Sequence, residues 1–150
     1  MTVMPSALPP GDPAPEDGSL PDSALAGLGE RPFGFYVHVP FCTVRCGYCD
    51  FNTYTAEELG GAGAAPGASR TTYAGAAVAE VRRARAVLGG VDLPVQTVFF
   101  GGGTPTLLPA ASIEAILGAV RERFGIADAA EVTIESNAGR DERGDARALV

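Results

Sequence analysis

Lysine is absent from this 150-residue chain, and all eleven of its basic residues are arginine. They are outnumbered by 18 Asp and Glu, and the formal net charge of −7 argues against nucleic acid as the main partner. The arginine-only bias, with abundant Ala, Gly and Pro, has the mark of GC-rich coding, so part of the Gly and Pro content is not a disorder signal. No apolar run is long enough to cross a bilayer. The N-terminus lacks the basic region followed by an apolar stretch that marks a secretory leader. Cysteine is scarce too: there are three, all within "CTVRCGYCD", residues 42–50. An odd, bunched set argues against a disulfide framework. Close thiols that stay reduced point to a cytoplasmic protein with a metal or redox task. What is present is enough for one ordinary domain, since a 46% hydrophobic composition permits a buried core.

Residues 1–31 read as a disordered tail, rich in Pro, Asp and Ser and without apolar periodicity. Asp12, Glu16, Asp17, Asp22 and Glu30 against Arg31 give it a charge of about −4. Residues 32–150 then read as the core domain. "FGFYVHVP", 33–40, alternates Phe35, Val37 and Val39 with Tyr36, His38 and Pro40 and predicts a buried strand ending at Pro40. The cysteine loop follows at once, and 59–69 predicts a flexible loop. A helix is expected from a cap at Thr71 or Thr72, with Tyr73, Ala77, Val81, Ala84 and Leu88 on its apolar face and Gly89-Gly90 as its stop. A second strand covers 95–100, with "GGGTPT" at its C-terminal end. A second helix is capped by Ser112, striped by Ile113, Ile116, Leu117, Val120 and Phe124, and ended by Gly125. A third strand covers 131–137, and the polar end of the chain has the pattern of a third helix beginning.

Strands alternating with helices imply an α/β fold with parallel pairing and right-handed crossovers. In such folds chemistry gathers at the C-terminal ends of the strands. The cysteine loop, the glycine run, and Glu135 with Asn137 all fall on that edge. Cys42-x3-Cys46-x2-Cys49 is compatible with zinc, with an iron–sulfur cluster, or with chance bunching. Structural zinc wants four ligands, and His38 is a candidate fourth, although a lone strand histidine is more often packed and hydrogen-bonded. A [4Fe–4S] cluster held by three thiolates keeps one iron open to another ligand. A glycine run at a strand end lets a ligand approach the backbone with no Cβ in the way, although alone it is equally a turn.

C-x3-C-x2-C directly after the first strand of a β/α fold resembles the signature of the radical SAM superfamily. The resemblance implies the N-terminal part of a partial (β/α)6 TIM-like barrel. It also implies a [4Fe–4S] cluster on Cys42, Cys46 and Cys49 whose open iron binds S-adenosylmethionine. Gly102, Gly103 and Thr104 match the loop that holds the methionine end, Glu135 the acidic contact, Tyr48 the aromatic position whose backbone meets adenine, and Tyr36 a contact on the first strand. No catalytic side chain is assigned. The string "YVHVPFCTVRCGYCDFNTYT…VFFGGGTPTLL…EVTIESN" is similar to oxygen-independent coproporphyrinogen III oxidases and the HemW-type heme chaperones. The oxidases carry a fourth cysteine two residues after the third. Phe51 stands there in this chain, which is the chaperone-like form. The resemblance therefore implies heme or a porphyrinogen as cargo or substrate, heme-acceptor proteins, and an electron donor of flavodoxin or ferredoxin type. Ala138 replaces the proline usual after the third strand. The chain stops soon after that strand, which leads us to expect a truncated core domain, with an inactive fragment as one alternative.

Overall fold

A computed structural model describes residues 13, 15–55, 57–59 and 67–137. The expected polar segment at the C-terminal end, Ala138, and most of the loop expected at 59–69 lie outside these residues. The order of elements is α1 (Asp22–Leu25), β1 (Phe33–Val39), α2 (Tyr73–Val87), β2 (Val95–Gly102), a 3-10 turn (Pro105–Leu107), α3 (Ala110–Phe124) and β3 (Ile126–Ile134). The three strands form one parallel sheet in the order β1-β2-β3.

The alternation of β1 is visible in its burial. Val37 and Val39 are buried, whereas Tyr36 is 57% exposed. On β2, Val98 and Phe100, the register partners of Phe35 and Val37, face the same way and are buried. Ile113, Ile116, Val120 and Phe124 of α3, with Val81 of α2, close the core over this face. At its far end the ring of Phe124 stacks on Phe33 and meets Phe35 edge-on, and the Arg85 guanidinium lies 4.9 Å from the Phe124 ring centre. One arginine of α2 thus covers an aromatic of α3 while also tying down the turn after its own helix through the Gly89 and Val91 carbonyls. The other face of the sheet is open: Tyr36 and its register partner Phe99 stack there at 6.0 Å, with Phe99 37% exposed.

Several boundaries differ from expectation for physical reasons. The second strand runs on through Gly101 and Gly102, because their backbones pair with His38 and Val39 of β1. The third starts at Ile126 rather than 131 and ends at Ile134. Its first half, Ile-Ala-Asp-Ala-Ala, lacks strand propensity, but Ile126 pairs with Val95. The second long helix begins at Ala110, with Pro109 in the N-cap position, so Ser112 lies inside its first turn and does not cap it. Thr72 occupies the N-cap position of α2, but no side-chain cap bond forms there. Its hydroxyl instead bonds Ser69. Gly125, at φ 74°, ends α3 as expected. Within the segment read as a tail there is local order: the helical turn α1, and a bond from the Arg83 guanidinium to the Asp17 carbonyl at 2.9 Å. Among the described residues no helix is long and apolar enough to cross a membrane.

Candidate metal centre

The cysteine loop leaves β1 and returns to it. Tyr54 N–H donates to the Pro40 carbonyl at 2.7 Å, and Cys42 N–H donates to the Tyr54 carbonyl at 3.0 Å. This parallel bridge between Phe41 and Tyr54 closes a neck, and all three cysteines lie in the loop it encloses. Buried Phe41 anchors the neck against Tyr73 of α2, ring edge to ring face at 5.5 Å. The Tyr73 hydroxyl donates to the His38 carbonyl at 2.6 Å. Burial, aided by the neighbouring Tyr36, pushes the Tyr73 phenol up to about 12.

His38 is a strut and not a thiolate substitute. Its Nε2 lies 2.8 Å from the Asn52 carbonyl, and its Nδ1 lies 2.9 Å from the Tyr36 hydroxyl. A carbonyl only accepts, so Nε2 carries the proton and donates, and Nδ1 accepts from Tyr36. Both ring nitrogens are used, and they tie the end of the cysteine loop to the open face of the sheet. A second tie crosses the loop. Arg45, between the first two cysteines, pairs with Glu58 at 3.1 Å. Glu58 accepts from Thr55 N–H at 2.7 Å, while Thr55 Oγ1 accepts from Glu58 N–H. That reciprocal pair is a capping box. The Thr55 N–H bond foremost, with Arg45 adding to it, holds the Glu58 carboxyl below its ordinary value. Its sequence signal is the Thr-x-x-Glu pattern of "TAEEL".

Each residue expected at the site has a definite place. Cys46 is exposed, Cys42 and Cys49 are partly buried, and none of the three is disulfide-bonded. Cys49 Sγ lies 3.6 Å from the hydroxyl of fully buried Thr53. Gly102 and Gly103 pack beside the loop. Gly102 N–H points at the Glu135 carboxylate at 3.3 Å, which brings the end of β3 to the glycine run. Gly103 N–H donates to the Val39 carbonyl at 2.8 Å and Thr104 N–H to the Phe41 carbonyl at 2.7 Å. Thr104 is buried, and its hydroxyl accepts from the Asn137 amide at 3.0 Å. The amides of Gly102, Gly103 and Thr104 are thus engaged within the chain. Tyr36 stands on the open face beside His38. Tyr48 is 89% exposed and its ring stands away from these contacts. A groove of about 500 Å³ runs between β1 and α2, with Tyr36, His38 and Tyr73 in its lining.

Among the described residues no group of three or more His, Cys, Asp or Glu side chains lies close enough to hold a single metal ion. A lone zinc needs its ligands to converge on one point. A cubane offers a separate iron to each thiolate, so three spaced thiols on one loop suit it.

The site is thus a three-thiol loop and a glycine run on the C-terminal edge of a parallel α/β sheet. Residues 36–150 match the Radical SAM superfamily, and the chain belongs to it. It is 47% identical over 114 residues to a heme chaperone HemW of Mycobacterium tuberculosis, covering 75% of this chain and 27% of that protein. It is 34% identical over 108 residues to the HemW of Escherichia coli, covering 72% of this chain and 26% of that protein. Among solved structures it resembles the coproporphyrinogen III oxidase HemN of Escherichia coli, a radical SAM enzyme, with TM-score 0.58 and 30% identity over 73% of this chain and 23% of that one. The chain thus spans about a quarter of the length of these relatives. The α/β fold expected from the sequence is the fold found, with its three parallel strands in one sheet.

Proposed function

We propose that this chain carries the cluster and S-adenosylmethionine site of a cytoplasmic HemW-like heme chaperone. The observation that carries this reading is the closed loop that holds Cys42, Cys46 and Cys49, with Cys42 against Gly103 of the glycine run and Phe51 where the oxidase-like pattern has a fourth cysteine. Cys42, Cys46 and Cys49 would hold a [4Fe–4S] cluster. The cluster, once bound, supplies an open iron for the amino and carboxylate groups of S-adenosylmethionine and an electron for cleaving its sulfonium bond.

The residues around the loop would orient these groups. His38 and Arg45 hold the loop from two sides, and Glu135 places a carboxylate at the glycine run. Tyr36 and Phe99 form an exposed aromatic pair on the open face, where a planar ligand can stack. Heme or porphyrinogen, heme-acceptor proteins and a small electron-transfer protein are the partners this reading requires.

The likeness to HemN favours a second reading, porphyrinogen oxidation. Two assays on the anaerobically reconstituted protein separate them. Chaperone function predicts a Soret band on heme titration and transfer to an apo-hemoprotein, with no decarboxylation of coproporphyrinogen III. Decarboxylation coupled to 5′-deoxyadenosine release, without heme uptake, would replace this reading with the oxidase.

A further inference from the structure

The glycine run has a second task in this fold, separate from approach to a ligand. Gly103 sits on the first cysteine. A β-carbon added to it would stand 2.5 Å from the Phe41 carbonyl oxygen and 2.9 Å from Cys42 Sγ. Real Cβ atoms do not approach other atoms so closely. The nearest obstacle is backbone of the loop's neck, which cannot rotate aside as a long side chain does. The same stretch is bonded into that neck on either side of the contact. Gly103 N–H reaches the Val39 carbonyl and Thr104 N–H reaches the Phe41 carbonyl. Behind them, the Thr104 hydroxyl is held by Asn137, just beyond β3. Gly102 differs: its β-carbon would meet the His38 ring and the Val39 carbonyl, not a thiol. Gly118, in α3, has open space around its own.

We infer that Gly103, backed by Thr104 and Asn137, is the seat that positions the Cys42 thiol. It is a positioning residue for the first cysteine of the loop, set by a contact that only the absence of a side chain permits. Because Asn137 takes part, the end of β3 is coupled through Thr104 to the base of the cysteine loop on β1. The inference deepens the cluster reading above, but its main test needs no cluster.

The test is the rate at which each cysteine of the metal-free protein reacts with iodoacetamide under reducing conditions, resolved by peptide mass spectrometry. Gly103→Ala is expected to change the Cys42 rate by about tenfold through displacement of the thiol, with Cys46 and Cys49 changing far less. Gly118→Ala is expected to leave all three rates alone. Equal shifts at all three cysteines, or none at Cys42 in a variant that still melts cooperatively, would overturn the seat. If Gly103→Ala does not fold, Asn137→Ala carries the test through Thr104 without adding an atom near the thiol. A Cys42-selective change there supports the inference, and unchanged rates overturn it. Iron uptake on reconstitution is the companion measurement. Failure of the wild-type chain to take up a cluster would count against the proposed function alone. Equal uptake and identical reduced-cluster spectra in wild type and Gly103→Ala would count against the seat.

Discussion

Replacing Tyr73 by Phe deletes one oxygen and leaves the ring that packs on Phe41. That oxygen donates a 2.6 Å bond to the carbonyl of His38, the second-to-last residue of β1 before the cysteine loop. An intramolecular hydrogen bond is worth about 1 kcal/mol net, and the carbonyl left behind is only partly cut off from water. For a domain of this size 1 kcal/mol is a melting-temperature loss of about 4 °C. The pH dependence makes the prediction sharper. The Tyr73 phenol is pushed from an ordinary 10.0 to about 12, chiefly by burial. A folded pKa raised above the unfolded one gives a contribution that is complete below the unfolded value. It fades as pH rises from 10.0 through about 12. The gap between wild type and Tyr73→Phe, measured by circular dichroism melts, should therefore stay near its full size up to about pH 9.5 and shrink steadily above it. Comparing the two proteins cancels the tyrosines that do not interact with Tyr73. A gap that is absent at neutral pH, or that persists unchanged at pH 11.5, would refute the role given to this hydroxyl.

His38→Ala should leave the sheet intact yet free the end of the cysteine loop. Limited proteolysis near Asn52 should then quicken severalfold, and His38→Gln, which retains a donor, should recover part of the protection. Ile116 is fully buried beneath the sheet, so Ile116→Ala should cost about 2–5 kcal/mol in denaturant unfolding; a loss under 1 kcal/mol would mean that α3 does not close the core. Gly102→Ala places a side chain at φ 111° against the His38 ring; S-adenosylmethionine affinity, read by isothermal titration of the reconstituted protein, should fall by about tenfold or more. Unchanged affinity would reduce that glycine to a turn residue.

The parts of the fold that follow from local pattern were legible. β-branched and aromatic alternation marked β1, and the 3.6-residue stripe of Ile113, Ile116, Val120 and Phe124 marked the face that α3 buries. Elements set by partners were not. Gly101 and Gly102 read as loop because glycine has no strand preference, yet they are in the sheet because His38 and Val39 pair with them. The Ala-rich start of β3 is likewise a strand only through β2. At the site, the cysteine spacing could be read directly, whereas the histidine was open to two readings until its ring contacts with Tyr36 and Asn52 were known. The ties across the loop could not be, because Arg45 with Glu58, His38 with Asn52 and Gly103 with Cys42 join residues 13, 14 and 61 apart. Nor did the sequence reveal that the amides of the glycine run are engaged within the chain.

The account stands or falls on what the three thiols hold. The direct measurement is anaerobic reconstitution with iron and sulfide, followed by metal analysis and EPR of the reduced protein with and without S-adenosylmethionine. The account predicts about four irons per chain. It also predicts a cubane signal that shifts when S-adenosylmethionine is added, and loss of both on replacing Cys42, Cys46 or Cys49 with Ala. One tightly bound zinc and no cluster, or a cluster whose signal ignores S-adenosylmethionine, would contradict it.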